Sequence, residues 1–177
     1  QMAYHTEAVA RGAAGKAFVV ADLPFGSYQA GQEQAFESAA RLMAAGANMV
    51  KLEGGAVMVE TVRFLTRRGI PVCGHLGLLP QSVNATGYRA QAREAGAAEQ
   101  LFQDASDLEL AGASMLVLES IPSVLADEVT QHLAIPTIGI GAGPLCNGQV
   151  LVLQDLLGLT EKPPRFAKDF MEGAWNI

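Results

Sequence analysis

The stretch Ala45-Gly46-Ala47-Asn48-Met49-Val50-Lys51-Leu52-Glu53 returns 66 positions later as Ala111-Gly112-Ala113-Ser114-Met115-Leu116-Val117-Leu118-Glu119. The pair Ile70-Pro71 returns as Ile135-Pro136, 65 positions on. Two neighbouring units therefore recur together, at about 33 residues per unit. Each holds a short β-rich run and a longer stretch with helical spacing, the pattern of parallel βα units. Chance likeness between two similar βα units would leave the same echo. Eight units of this size need about 260 residues, close to a (β/α)8 TIM barrel.

The alternation continues along the chain. Strands are expected at about 17–22, 48–53, 70–74, 114–119, 136–140 and 150–154, and helices at about 32–45, 57–67, 97–111 and 123–132. In the first of these helices Phe36, Ala39, Ala40 and Met43 mark one core-seeking face. Gly46, Gly69 and Gly112 stand where those helices should stop. Six strands are two short of a closed barrel, and an open barrel exposes two sheet edges. The expected architecture is a single α/β domain over 1–177, a barrel lacking its first two strands at the N-terminus.

Composition narrows the function. Half of the 177 residues are hydrophobic and 17% are charged, which excludes a disordered tail. The net charge is −6 and Arg67-Arg68 is the only basic pair, so a nucleic-acid partner is not expected. Apolar runs are strand-length, too short to span a membrane. Two cysteines, Cys73 and Cys146, are too few for a disulfide framework and suit a reducing cytoplasm. Cys73 is expected as a small core residue, and His5 and His132 as ordinary helix residues.

Polar residues collect at the strand ends: Asp22, Lys51, Glu53, His75 and Glu119. Parallel α/β folds bind ligands there. Side chains alternate along a strand, so Met49, Lys51 and Glu53 share one face, and Met115, Val117 and Glu119 share another. Converging charges need a metal, a ligand or one another. Two carboxylates suit a hard cation such as Mg²⁺, and a further glutamate over an apolar strand face suits a base. Each residue has a plainer reading. Asp22 could cap a turn, Lys51 and Glu53 could form a structural ion pair, Glu119 could be a solvated loop acid, and His75 a hydrogen-bonded core histidine. Gly139 to Gly143 could cradle an anion but lacks the spacing of a dinucleotide fingerprint.

Several stretches resemble one family, the ketopantoate hydroxymethyltransferases. They are Ala21-Asp22-Leu23-Pro24-Phe25, Met49 to Gly55, Val72 to Leu78, Pro80-Gln81-Ser82-Val83-Asn84, Leu116 to Glu119, Ile135 to Gly143 and Gly148 to Val152. The resemblance implies a barrel of the phosphoenolpyruvate/isocitrate-lyase-like type. It implies transfer of a hydroxymethyl group from 5,10-methylenetetrahydrofolate to 3-methyl-2-oxobutanoate, giving 2-dehydropantoate in pantothenate and coenzyme A synthesis. Mg²⁺ as cofactor, a cytoplasmic location and a large homo-oligomer, often a decamer, are implied too. By motif, Asp22 would bind metal and substrate, Glu53 metal, Lys51 substrate, and Glu119 would accept the proton. The family's Gly-Asp-Ser strand end, with one further metal ligand, has no match here. Leu79 replaces a common threonine, Asn147 stands where aspartate is usual, and the 87–93 loop is less glycine-rich. Two other readings fit the same residues: a metal-dependent lyase of 2-oxo or 2-hydroxy acids, and a non-catalytic homologue that only assembles.

Overall fold

A computed structural model describes residues 1–87 and 90–173. Its centre is one parallel sheet of β1 (Val20–Asp22), β2 (Met49–Lys51), β3 (Val72–Gly77), β4 (Met115–Glu119), β5 (Thr137–Ile140) and β6 (Gly148–Gln149). The strands lie in sequence order, each beside the next. Such a sheet, built by repeated right-handed crossovers, curls in one direction as a barrel wall does. Among the described residues β1 and β6 have a sheet neighbour on one side only.

Helices fill the crossovers: α2 (Gln32–Ala44) joins β1 to β2, α3 (Val59–Thr66) joins β2 to β3, α5 (Ala95–Leu110) leads into β4, and α6 (Ser123–His132) leads into β5. A short α4 (Val83–Thr86) precedes α5, and α7 (Leu153–Leu156) follows β6. The echo is structural, because Gly46 and Gly112 make the same turn out of α2 and α5, at φ 102° and 101°. No helix among the described residues is long and apolar enough to cross a membrane.

The sheet's two faces bury different things. Val50, Leu52, Leu116 and Leu118 point to the helices, where they meet Leu65, Leu108 and Val129. Each fully buried leucine there contributes about 1.5–3 kcal/mol. Met49, Cys73, Val117 and Ile140 form a smaller cluster on the opposite, inner face. The period-2 alternation expected for the second and fourth strands is therefore present.

Two strand bounds change. The sixth strand is Gly148–Gln149, not 150–154. Val150 donates one last ladder bond to the Gly139 carbonyl at 3.0 Å, and the chain then turns into α7. Val150, Val152 and Leu153 are exposed, and among the described residues no strand pairs with β6 on that side. The third strand runs on through His75 to Gly77, past the expected end at 74. The N-terminal helix α1 (Met2–Ala13), for which no bounds were expected, holds His5 as the helix residue it was expected to be. In the 87–93 loop, Tyr88 and Arg89 fall outside the described residues.

Candidate active site

The strand register decides which charges meet. Asp22 ends β1 directly opposite Lys51 at the end of β2. Lys51 Nζ consequently lies 3.0 Å from Asp22 Oδ2. The partner of Lys51 is Asp22, not Glu53. Beyond β2 the ladder continues, with Leu52 N–H donating to the Cys73 carbonyl and Gly54 N–H to the His75 carbonyl, both at 3.1 Å. That extension keeps Glu53 on the same inner face as Lys51.

Glu53 is buried, 8% exposed. Its Oε2 accepts the Gln81 backbone N–H at 2.9 Å. Its own backbone N–H donates to the Tyr28 hydroxyl at 3.2 Å. Tyr28 donates in turn to Gln81 Oε1 at 2.8 Å, and Gln81 Nε2 donates to the Leu23 carbonyl at 2.9 Å. The loops after β1, β2 and β3 are thus tied together around one carboxylate. Burial pushes the Glu53 carboxyl above the usual carboxylate range, and the Asp22 charge adds to this; the Gln81 N–H, His75 and Lys51 pull it back. Sequence reasoning missed Tyr28 as an organiser, and Gln81 appeared only inside a motif. Neither residue type nor spacing marks a side chain that acts from a loop.

His75 sits inside β3 and is 1% exposed. Its Nδ1 is 3.8 Å from Glu53 Oε1 and its Nε2 is 3.1 Å from Glu119 Oε2. Neither nitrogen has an aligned hydrogen-bond partner among the described residues, so these are close charge contacts rather than good hydrogen bonds. The ring bridges the two glutamates instead of being satisfied within the core. Glu119 ends β4, and its carbonyl accepts the Leu78 N–H at 2.8 Å. The next residue, Ser120, turns the chain at φ 51°, a conformation that costs a non-glycine residue about 1 kcal/mol or more.

Asp22, Lys51, Glu53, His75 and Glu119 all line one cavity of about 550 Å³, with Met115, Val117, Ile138 and Ile140 as its apolar wall. That volume falls within the range of small-molecule sites. Cys73 also lines it, but burial pushes its thiol up to about 12, so it stays neutral and behaves as a core residue. Side chains pack closely on two of the glycines after β5. A Cβ at Gly141 would fall 2.5 Å from Phe166 Cε1, and one at Gly143 would fall 2.4 Å from Ser123 Cβ. Asn147 Oδ1 accepts the Thr137 N–H at 2.9 Å, a link between β5 and the turn before β6.

The cavity thus brings three carboxylates, one lysine and one histidine against an apolar wall. The family model of ketopantoate hydroxymethyltransferase matches residues 1–177. The chain belongs to this family. The 3-methyl-2-oxobutanoate hydroxymethyltransferase of Thiobacillus denitrificans is 62% identical over 178 residues, covering 100% of this chain and 68% of that protein. That of Methylobacillus flagellatus is 62% identical over 178 residues, covering 99% and 68%. The chain thus spans about two thirds of the length of these hydroxymethyltransferases. Among solved structures, a 2,3-dimethylmalate lyase of the PEP mutase/isocitrate lyase superfamily is similar at TM-score 0.57 and 20% identity, over 81% of this chain and 52% of that one. A phosphoenolpyruvate phosphomutase from Streptomyces platensis subsp. rosaceus is similar at TM-score 0.56 and 16% identity, over 90% and 63%. These distant likenesses show the fold alone, a parallel sheet of the TIM-barrel kind.

Proposed function

We propose that the protein transfers a hydroxymethyl group from 5,10-methylenetetrahydrofolate to 3-methyl-2-oxobutanoate, giving 2-dehydropantoate for pantothenate and coenzyme A synthesis. The observation that carries this reading is the convergence of Lys51, Glu53, His75 and Glu119 on one cavity with an apolar wall. The family match supports the same reaction.

Among the described residues no three His, Cys, Asp or Glu side chains gather as a ready metal cage. Mg²⁺ does not need one, since it binds through one or two carboxylates and fills its other positions with water and substrate oxygens. Asp22 and Glu53 are oxygen donors on adjacent strands, and the buried Glu53 charge calls for a cation. They would hold the metal. When bound, Mg²⁺ would polarise the keto carbonyl and stabilise the negative charge that develops on its oxygen.

Lys51 neutralises the carboxylate of the ketoacid. The inner apolar wall takes its branched carbon end. Glu119 removes the C3 proton, with His75 Nε2 close beside the carboxylate that receives it. The resulting carbanion forms a bond to the one-carbon unit, both of the carrier's C–N bonds to that carbon break, water supplies the hydroxyl group, and the two freed nitrogens take up the proton removed from C3 and the one left by water. The barrel is proposed as one N-terminally incomplete domain over 1–177. Further strands pair with the open edges of β1 and β6, within a cytoplasmic homo-oligomer.

Exchange of the C3 proton with D₂O, followed by proton NMR without folate, tests the base. Glu119→Gln keeps the shape and removes the proton acceptor. Exchange should fall by about 10²–10⁴-fold while Mg²⁺ and ketoacid still bind. Exchange at the parent rate would remove Glu119 from that role and pass it to His75.

A further inference from the structure

We infer that a second cavity, of about 850 Å³ on the other side of Glu119, receives the one-carbon carrier, and that Arg93 and Arg165 hold the carrier's anionic tail. The inference rests on the hydroxymethyl transfer proposed above and assigns the site of its second substrate.

Position comes first. Reacting atoms must come within about 3–3.5 Å, so the carrier's one-carbon end has to reach the ketoacid beside Glu119. Pro80, Glu119 and Val152 border both cavities. The two volumes therefore share a wall, and the proposed base stands in it. A ligand in the larger cavity faces a ketoacid in the smaller one across that carboxylate.

Size and chemistry agree with position. The 3-methyl-2-oxobutanoate carbon skeleton is small and suits the 550 Å³ cavity, whereas 850 Å³ admits a ligand several times larger. Leu78, Ile121 and Phe166 supply apolar lining. Gly141 lets Phe166 sit directly on backbone, since a Cβ there would lie 2.5 Å from its ring, and the ring stays 43% exposed. An exposed ring of this kind suits a flat aromatic group. Arg93 and Arg165 add two cations in a chain of net charge −6. Neither is in an ion pair among the described residues. A guanidinium presents a planar fork matched to carboxylates. The ligand class is a flat heteroaromatic carrier with a carboxylate-bearing tail. The two arginines stand 72 positions apart in separate loops, so no local sequence pattern announces them.

The test uses Arg93→Gln and Arg165→Gln, singly and together. Steady-state kinetics would read KM for 5,10-methylenetetrahydrofolate in its mono- and triglutamate forms. Fluorescence titration would read binding of tetrahydrofolate triglutamate without turnover. In the double variant, KM and Kd for the triglutamate forms should rise at least about tenfold. The preference for triglutamate over monoglutamate should disappear, and C3 exchange of the ketoacid without folate should stay at the parent rate. Unchanged carrier affinity in both single variants and the double variant overturns the inference, as does a parent protein that binds mono- and triglutamate forms alike. Loss of exchange in the parent itself refutes the hydroxymethyl-transfer reading separately, and the binding titration still decides where the carrier sits.

Discussion

Gly77→Ala should damage stability and proton abstraction together, and the geometry says by how much. Gly77 pairs with Glu119 across β3 and β4. Its φ is +94°, which an L side chain adopts at a cost of about 1–2 kcal/mol. A Cβ built there falls 2.1 Å from the Glu119 carbonyl oxygen and 2.8 Å from Ile121 Cγ2, whereas ordinary contact begins near 3.4 Å. The Glu119 backbone must retreat by roughly 1 Å, which also breaks the Leu78 N–H bond to its carbonyl. Strain, overpacking and the lost bond together come to about 3–5 kcal/mol, or a fall in Tm of about 6–20 °C for a chain of this size. A base displaced by about 1 Å should lose on the order of 10²-fold in rate. Gly69→Ala is the control. Gly69 has φ +82° with nothing within 4 Å of its Cβ, so it carries the strain without the clash. Urea unfolding and C3 exchange would be measured on both variants. If Gly77→Ala matches Gly69→Ala in stability and exchanges at the parent rate, the backbone contact does not position Glu119.

Two further variants probe the buried carboxylate. The folded-state pKa of Glu53 is raised, so its stabilising contribution is complete below the ordinary carboxylate range and is lost as pH rises through the folded value. Glu53→Gln should therefore melt higher than the parent at neutral pH without metal, with the gap closing at about pH 4, as calorimetric scans across pH would show. Mg²⁺ at about 100 times its Kd should stabilise the parent by about 2.7 kcal/mol and leave Glu53→Gln unmoved; an equal Mg²⁺ shift in both would take Glu53 out of the metal site. Tyr28→Phe strips the hydroxyl that accepts the Glu53 N–H and donates to Gln81. It should lower stability by about 1–3 kcal/mol in urea and weaken the Mg²⁺ shift, and a neutral result would deny the network a structural role.

The legible part of the fold was the part where local pattern and tertiary environment agree. In β2 and β4 one face is apolar toward the helices and the other ends in charge, so period two is enough to orient both strands. The same logic placed Lys51, Glu53 and Glu119 at one mouth. It could not pair Lys51 with Asp22, because that pairing depends on the register between β1 and β2. The run after Gln149 misled because an apolar stretch reads alike as strand or helix when only its hydrophobicity is seen. Among the described residues no seventh strand pairs with 150–154, and the stretch leaves the sheet after Val150 and enters α7. Tyr28, Gln81, Arg93 and Arg165 act from loops, where no period links side-chain direction to position.

The echo also explains why two glutamates at equivalent strand ends can have different jobs. Each is followed by a residue at positive φ, Gly54 at 125° and Ser120 at 51°, so the backbone turns away at the same height in both units. Beyond the turn the two units diverge. After Glu53, the loops bring the Tyr28 hydroxyl onto its backbone N–H and the Gln81 N–H onto its carboxylate, and the side chain is left 5% exposed. After Glu119 no such clamp closes among the described residues: its side chain stays 16% exposed and borders both cavities. A clamped, buried carboxylate suits a cation that stays. A carboxylate open to two cavities suits a proton that comes and goes. Repetition set the two groups level, and the divergent loops separated their chemistry. Moving the clamp should therefore harm a different step in each direction: a substitution that buries Glu119 further should slow C3 exchange, whereas one that opens Glu53 should first weaken Mg²⁺.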